Sequence, residues 1–454
     1  MSNPQKSPIA IVGGGLGGLT LSIGLTFHGI SHKIYESAAA FAEIGAGIAL
    51  GPNSITALEL IDPRIKEVLD RCVSYNEGLD AQGQGLGKEE WLDIKNGTEN
   101  DFNKLITTIR HKGSKPGRAC VHRARFLEGL VELLPQGIAE FGKSLVSISE
   151  ITSTKELSLS FADGTTALAG AVIACDGIKS VIRQHYVLSD LSEPGVDMSR
   201  PVATGDIAYR GMFSRGQFLD IVGDTIEVGK GTLFCGPESY VVMYPVERGS
   251  MMNMVAIKYI PEAASQANQN TWIENVSRET MLSDFEGWGE PIQRLLTQFK
   301  SSQRWALHDH LPAPRYVKGK VALMGDAAHA TTPHQGQGAG MAFEDSLVLS
   351  NILGQVLSKT SGRSDIKSLK FDEEIAACLQ AYDQVRRIRT QKVTSTSREM
   401  GEIVGFRKQG IGGDLVKMKT NFETRMDWIW DVDLPGEIVR GVNIANGLLI
   451  GSSP

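Results

Sequence analysis

Three glycines and one acidic residue near the start of the chain have the types and spacing needed to hold a phosphorylated ligand. Gly13, Gly15 and Gly18 form a G-x-G-x-x-G pattern directly after the apolar run 8–12. Such glycines allow a tight turn, a close approach of pyrophosphate to the backbone, and close packing of a helix on a strand. Glu36 follows at about the 20-residue spacing expected of a ribose-hydroxyl acceptor. The pattern predicts dinucleotide binding without distinguishing FAD from NAD.

The segments around this pattern predict a strand–helix–strand unit. Residues 16–27 have the apolar spacing of a helix packed on a sheet, and residues 32–36 form a second apolar β run. Such a unit opens a doubly wound parallel sheet. A buried strand is predicted at 171–175, and the same type of pattern returns at 320–324 before Gly325 and Asp326. The nucleotide-binding domain is therefore expected to be discontinuous in sequence.

The rest of the chain divides into a β-rich part and a helical part. Residues 200–260 are rich in strand patterns, which predicts a second sheet inserted into the first domain. After about residue 371 the chain is predicted to be helical, and Ile375, Leu379, Tyr382 and Val385 share one apolar face. The neighbouring arginines are expected to form a solvated face rather than a binding patch; they are Arg386, Arg387 and Arg389.

Composition excludes several classes of protein. The 454 residues suggest two or three domains, and a net charge of −6 gives no overall signature of nucleic-acid or anionic-membrane binding. Five scattered cysteines without a C-x-x-C pair indicate neither a disulfide framework nor a zinc site. Glycines interrupt the apolar run 9–25, so no membrane span is predicted. The chain is expected to be cytoplasmic, and its oligomeric state is left open.

Two further motifs decide between the dinucleotides by resemblance. Residues 175–183 resemble the DGxxSxxR motif of flavoprotein aromatic hydroxylases, and residues 321–329 resemble the second FAD motif of that family. The chain is thus identified as similar to the class A FAD-dependent monooxygenases of the para-hydroxybenzoate hydroxylase superfamily. Within it, the chain most resembles salicylate hydroxylases and related fungal phenol hydroxylases. The segments that carry this closer likeness are 209–212, 286–289, 305–309, 333–340 and 425–430.

The resemblance implies an α/β fold with a Rossmann-like, GR2-type FAD-binding domain built on a discontinuous parallel sheet. That domain is expected at 1–185 and 291–370, with an inserted β-sheet substrate domain at 186–290. A C-terminal helical region is expected at 371–454.

The resemblance also assigns residues to FAD. Glu36 would bind the adenosine ribose, Arg123 the phosphate–ribose region and Asp326 the ribityl–pyrophosphate segment. Ala49, at the end of the 45–49 loop, would contribute backbone. The full predicted cofactor-binding set is Gly13, Gly15, Gly18, Glu36, Ala49, Arg123, Asp176, Gly325, Asp326, Pro333, Gly336, Gly338 and Ala339. Residues 336–340 precede a helical pattern, whose N-terminus would stabilise negative charge on reduced flavin.

The implied reaction is hydroxylation of a small phenolic aromatic. NADH or NADPH would reduce the flavin, and O2 would then give a C4a-hydroperoxide that transfers its distal OH to an electron-rich ring. No second G-x-G-x-x-G follows a strand, which fits a nicotinamide co-substrate that binds only transiently. The sequence does not choose between the two nicotinamide cofactors.

Arg210 and Tyr244 are the predicted catalytic residues. By resemblance to fungal dearomatising hydroxylases, Arg210 would bind a substrate phenolate and Tyr244 would pair with it. Arg210 could equally clamp a carboxylate, which its planar fork suits. His308 and His334 are interpreted as structural histidines, because a lone histidine is more often one with satisfied hydrogen bonds.

Three functions stay open at this point. The first is hydroxylation of a salicylate-type ring, with or without decarboxylation to a catechol. The second is dearomatising hydroxylation of a resorcinol-type polyketide, favoured by Arg210 and Tyr244. The third is an FAD-binding protein without catalysis.

Overall fold

The computed structural model describes residues 7–41, 47–76, 89–113, 117–191, 197–264, 271–358 and 367–451. The strands are β1 Ile9–Val12, β2 His32–Tyr35, β3 Gly47–Leu50, β4 Val73–Tyr75, β5 Glu90–Asn96, β6 Leu105–Arg110, β7 Ala119–His122, β8 Ala139–Glu140, β9 Leu145–Glu150, β10 Leu157–Phe161, β11 Thr166–Ala169, β12 Ala171–Ala174, β13 Pro201–Ser214, β14 Thr232–Gly236, β15 Ser239–Val246, β16 Met251–Tyr259, β17 Ile273–Asn275, β18 Gln303–His310, β19 Val317–Lys318 and β20 Val321–Leu323. The α-helices are α1 Leu16–Phe27, α2 Pro52–Ile61, α3 Pro63–Cys72, α4 Arg123–Val131, α5 Arg215–Val222, α6 Arg278–Ser283, α7 Glu290–Thr297, α8 Asp326–His329, α9 Gly338–Leu357, α10 Lys367–Val404, α11 Leu415–Phe422, α12 Asp427–Trp430 and α13 Leu434–Gly451. Among these described residues, no helix has the length and apolar character needed to cross a membrane.

A six-stranded sheet in the order β19-β20-β12-β1-β2-β8 forms the first layer. β1 pairs in parallel with both β2 and β12, and β12 pairs in parallel with β20. The central strands are buried along their whole length, as expected of parallel strands covered on both faces. The predicted strand–helix–strand unit and the return of the chain to this sheet at β20 are confirmed. The carboxyl ends of β1, β12 and β20 therefore lie side by side at one edge, where open α/β sheets bind ligands.

An eight-stranded sheet in the order β17-β18-β13-β16-β15-β14-β5-β6 forms the second layer. Its central strands β13, β16, β15 and β14 pair antiparallel, whereas β14 and β5 run parallel. The sheet predicted at 200–260 is confirmed, but β5, β6 and β18 lie outside the expected 186–290 segment and also pair into it. The prediction for that segment was therefore too narrow, because edge strands contributed by distant sequence carry no local signal of their partner. The domain division itself stays a prediction.

One face of this second sheet is closed by its own hydrophobic core. Tyr209, Phe234 and Met254 point into a cluster that also contains Phe285 of the α6–α7 connection and Leu295 of α7. Because side chains alternate along a strand, the intervening residues of the same strands face the other way. That opposite face is the one turned toward the first layer.

The C-terminal helices pack on α9. The predicted apolar face of α10 is buried in the main core. The expectation of a solvated arginine face is wrong for Arg386, whose exposed fraction is 0%. Its guanidinium forms ion pairs with Glu344, Asp345 and Glu437, which α9 and α13 place around it. A helical pattern alone could not reveal carboxylates that arrive from two other helices.

Candidate active site

The turn between β1 and α1 has the geometry of a phosphate cradle. Gly13 has a φ of 104°, and a Cβ there would overlap the carbonyl oxygen of Cys175. A Cβ at Gly18 would overlap the carbonyl oxygen of Gly13, so helix and turn approach closely only with glycine at both positions. Gly15 caps α1 without a side-chain hydrogen bond. The first N–H groups of α1 are therefore left to face an anion.

Glu36 follows β2 and holds the glycine turn. Its Oε2 accepts a hydrogen bond from the N–H of Gly14 at 2.6 Å, and its Oε1 accepts one from Ala38 at 2.7 Å. The carboxylate thus lies beside the cradle, although it does not line the main cavity. Its assignment to a ribose stays a prediction.

The second and third motifs meet at the ends of β12 and β20. Asp176 accepts a hydrogen bond from the N–H of Val181 at 2.9 Å, and burial raises the pKa of its carboxyl. Arg183 is fully buried and donates to the carbonyl oxygen of Ala328 at 2.7 Å, which ties the DGxxSxxR segment to the segment that carries Asp326. The guanidinium of Arg183 thereby holds together two motifs that lie far apart in the sequence, since Arg183 and Ala328 are 145 residues apart.

A second cradle lies at the start of α9. Gly336 has a φ of 64°, and α9 begins at Gly338 without a side-chain cap. The positive end of this 20-residue helix faces the cavity beside Pro333 and Ala339. A Cβ at Gly336 would press against the ring of Trp91 and approach Ala49 of β3. The arrangement leaves a narrow, apolar space next to a site that favours negative charge.

The inner face of the eight-stranded sheet forms the opposite wall. Val242 of β15 lies between Leu233 of β14 and Val255 of β16, and Ile257 pairs with Tyr240 in the same register. All five line a cavity of about 390 Å³ between the sheet and the two cradles. This volume and apolar lining are typical of sites for small organic ligands.

The structure brings most of the predicted site residues to this cavity. Those that line it are Gly15, Gly18, Ala49, Arg123, Tyr244, Gly325, Asp326, Pro333, Gly336, Gly338 and Ala339. Gly13, Glu36, Asp176 and Arg210 do not line it. Part of the predicted 45–49 loop, residues 45 and 46, lies outside the described residues.

The two predicted catalytic residues occupy different positions. Tyr244 is buried in the wall, donates its hydroxyl to the carbonyl oxygen of Gly47 at 2.8 Å, and has its pKa raised by burial to about 12. Arg210 is exposed at the side of the sheet, with its guanidinium carbon 5.3 Å from the centre of the Trp305 ring. Partial desolvation lowers the pKa of Arg210, and the nearby Tyr244 opposes that change.

Arg123 begins α4 and faces Asp326 across the cavity. Burial lowers the pKa of its guanidinium, while the charge of Asp326 raises it and that of Arg210 lowers it further. The charges of Asp326 and Arg210 therefore both act on Arg123. Such a set suits a ligand that carries both phosphate and hydroxyl groups.

A chain of polar side chains that the sequence did not predict leads away from the cavity. The Tyr240 hydroxyl lies 2.5 Å from His334 Nδ1, and His334 Nε2 lies 3.4 Å from Asp206. Asp206 in turn forms an ion pair with the partly exposed Arg407 at 3.1 Å. Tyr240 and His334 both line the cavity. Contrary to the interpretation of His334 as a purely structural residue, its ring is placed at the site.

Two other wall residues were missed. Trp91 of β5 and Arg118, just before β7, both line the cavity. The ring of Trp91 packs 5.3 Å from that of Trp430, which is also buried. No sequence signal marked Trp91, because its strand joins the sheet only through the parallel pairing of β5 with β14.

Comparison with known proteins identifies the family. A family described as FAD binding domain matches residues 154–385. The chain is 37% identical over 448 residues to a 6-methylsalicylate 1-monooxygenase of Aspergillus terreus, covering 98% of this chain and 93% of that protein. It is 32% identical over 442 residues to a salicylate hydroxylase of Pseudomonas putida, covering 95% and 94%. The chain belongs to the class A FAD-dependent aromatic hydroxylases.

The fold of this hydroxylase agrees with that of a solved relative. A salicylate hydroxylase in complex with substrate superimposes with a TM-score of 0.81 at 32% identity, covering 97% of this chain and 99% of the other. The FAD-dependent monooxygenase that the sequence predicted is thus confirmed.

The residues of this hydroxylase also fit FAD. A Cβ at Gly13 or at Gly18 would overlap the backbone of the cradle, so the turn has room for a phosphate only with glycine at both positions. The N-termini of α1 and α9, neither of which has a side-chain cap, both face the cavity. Arg123 and Asp326 supply one cation and one carboxylate between them. Phosphate, ribityl hydroxyls and a flat ring system would each find a suitable wall.

Proposed function

We propose that this hydroxylase acts on a salicylate-type phenol and consumes NADH or NADPH and O2. The observation that carries the proposal is the apolar cavity enclosed between the FAD cradles and the sheet wall. Names of relatives that cover nearly the whole chain support the substrate class, since they act on salicylate and 6-methylsalicylate.

The wall residues bind and orient the ring. Leu233, Val242 and Val255 present aliphatic surface to the ring face, and they keep water from the reacting atoms. Bound FAD, once reduced by the nicotinamide, supplies the electrons and the reactive site for O2. The N-terminus of α9 would stabilise negative charge on the reduced cofactor, an effect of roughly 0.3–2 kcal/mol.

The polar side chains that lead away from the cavity, beginning with Tyr240 and His334, are proposed to take up the proton of the substrate hydroxyl. Electrophilic hydroxylation is faster on a phenolate than on a phenol, so the substrate hydroxyl must lose its proton. His334 lines the cavity, and its buried Nε2 makes no hydrogen bond, although Asp206 lies 3.4 Å away. Tyr240 also lines the cavity, so the proposed path for that proton runs through the Tyr240 hydroxyl to Nδ1 of His334, with Asp206 on the far side of the ring.

The test is oxidation of NADH and NADPH by the FAD-loaded protein with salicylate, 6-methylsalicylate, other hydroxybenzoates and alkylresorcinols. Product masses are recorded with the rates. We expect salicylate to stimulate oxidation and to give catechol with CO2 if the reaction is decarboxylative, or a product heavier by one oxygen if it is not. Absence of stimulation by every hydroxybenzoate would refute the substrate proposal.

A second candidate is dearomatising hydroxylation of a resorcinol-type polyketide. It is favoured by the charge of Arg210, which acts on Tyr244 at the side of the cavity. Conversion of alkylresorcinols alone, to a dienone heavier by one oxygen, would replace the salicylate proposal by this one. Flavin binding without any stimulated oxidation would support a protein that binds FAD and has lost catalysis.

We also propose that the protein works in the cytoplasm. All five cysteines are free thiols, as in proteins of reducing compartments. Fractionation of cells that express the tagged full-length chain tests this, and enrichment in a secreted or organellar fraction would refute it.

A further inference from the structure

Arg118 is a buried cation in the cavity wall. Arg118 is only 4% exposed. It lies just before β7, and its guanidinium lies among the side chains of the sheet wall. Its Nε donates to Cys120 Sγ at 3.1 Å, a weak acceptor, and its buried Nη1 has no hydrogen-bond partner. Within the part of the chain that the structure describes, no carboxylate forms an ion pair with it. A buried charge in this condition is costly unless a ligand pairs with it.

The surrounding residues hold this guanidinium in one place. Its central carbon lies 4.4 Å from the centre of the Tyr244 ring and 5.4 Å from that of Trp91. A Cβ at Gly231 would overlap Nη1, so glycine at this position provides the room that the guanidinium occupies. Aromatic faces stabilise a cation without satisfying its N–H groups. The wall therefore fixes Arg118 at the edge of the cavity, with no carboxylate partner among the described residues.

A planar anion is the ligand that this buried guanidinium fits. Guanidinium groups bind carboxylates through paired N–H donors. The two tyrosine hydroxyls of the sheet wall already have partners, since Tyr240 bonds to His334 and Tyr244 bonds to Gly47. Arg118 lies on the sheet wall, with its guanidinium against the rings of Trp91 and Tyr244. Arg210, by contrast, is exposed and rests on Trp305. A contact with the buried Arg118 discriminates more strongly, because less water competes for it.

We propose that Arg118 binds the carboxylate of the aromatic substrate and so selects carboxylated phenols over uncharged ones. The inference rests on the proposed function and narrows it. It moves the carboxylate-binding role from Arg210 to a residue that no sequence motif marked. Arg210 is then left for the phenolic side of the ring.

The experiment compares the binding of salicylate and salicylamide to the FAD-loaded protein, by the change in flavin absorbance. The two ligands share the ring and hydroxyl, and only the first carries an anion. Loss of a charged hydrogen bond is worth about 1.5–3 kcal/mol, or roughly 10- to 150-fold in Kd. We expect R118Q to weaken salicylate by about that factor while salicylamide changes less than about twofold. The matched control is R125Q, which removes an exposed guanidinium that pairs with Glu128 and should keep the preference.

Two further variants keep the test decisive if R118Q does not fold. R118K retains the charge but not the fork and should retain part of the preference for salicylate. G231A leaves the arginine in the chain and displaces its guanidinium, and it should weaken salicylate selectively. FAD content and circular dichroism are measured for each variant.

Several results would overturn the inference. An unchanged salicylate-to-salicylamide ratio in R118Q, or loss of the ratio in R210Q instead, would show that Arg118 is not the anchor. A rise in the Kd for FAD with an unchanged ratio would assign Arg118 to the cofactor. If the wild type oxidises NAD(P)H with phenols and Arg118 variants show no selectivity change, only this inference fails. If the wild type is stimulated by no phenol, the proposed function itself fails.

Discussion

Replacement of Arg386 by methionine should destabilise the protein severely, although Arg386 is only one of several arginines on α10. Arg386 is fully buried, and its three nitrogens pair with Glu344 at 2.7 Å, Asp345 at 2.8 Å and Glu437 at 2.7 Å. Removing one partner of a buried ion pair costs about 3–5 kcal/mol, because a desolvated charge is left behind. Here three carboxylates would lose their shared cation.

The expected magnitude lies at the lower end of that range. Glu344 would keep Arg389 at 2.8 Å, and Asp345 would keep His329 at 2.6 Å. Glu437 would keep Arg440 at 3.5 Å, so each carboxylate retains one partner, and we expect R386M to lower the free energy of unfolding by about 3 kcal/mol. Methionine restores most of the volume, which keeps cavity formation from dominating the loss.

The matched control is R387M at the next position. Arg387 is partly exposed and pairs with Asp383 one helical turn away at 3.0 Å. Such a pair is worth at most about 1 kcal/mol. Urea unfolding followed by circular dichroism, on FAD-free and FAD-loaded protein, measures both variants.

The same network supports the cofactor site. Asp345 accepts the N–H of Gly325 at 3.1 Å, directly before Asp326. R386M should therefore also raise the Kd for FAD, measured by flavin fluorescence. A loss of stability in R386M no greater than in R387M would refute the reasoning, since the ion pairs would then contribute nothing beyond an exposed pair.

Three further outcomes are expected. G18A should abolish FAD retention, measured by the flavin content after purification, because its Cβ overlaps the glycine turn; G164A, at a position with a φ of 83° and open space, should cost only about 1 kcal/mol and retain FAD. Y244F should lower the free energy of unfolding by about 1 kcal/mol, because it removes the hydrogen bond to Gly47. Because the pKa of Tyr244 is raised to about 12, the dependence of kcat on pH below about pH 10 should be the same in Y244F as in the wild type. Loss of an alkaline limb of that profile in Y244F would contradict this. Burial would raise the pKa of Asp345, yet His329 and Arg386 lower it to about 2, below its ordinary 3.8. Its stabilisation is therefore full above about pH 4 and lost as pH falls toward 2, so acid unfolding of D345N should show a shallower pH dependence than the wild type, and an equal slope would argue against it.

Sequence by itself determined the cofactor half of this hydroxylase. The glycine turn, the DGxxSxxR segment and the Gly325–Asp326 turn are local structures whose chemistry is set by neighbours in the chain. Gly18 shows why, since the contact that excludes a side chain there is the carbonyl oxygen of Gly13 in the same turn. The buried apolar face of α10 was equally legible, because helical periodicity is a local property.

Tertiary structure alone decided the substrate half. Which residues of β14, β15 and β16 face the cavity depends on register, and a shift by one residue would turn the other set inward. The burial of Arg118 and Arg386 depends on groups contributed by strands and helices far away in sequence. An arginine has the same sequence signature whether it meets water or a carboxylate. The packing of distant segments sets the solvation and the partners of each arginine. That packing leaves Arg118 to bind a ligand and makes Arg386 part of the core.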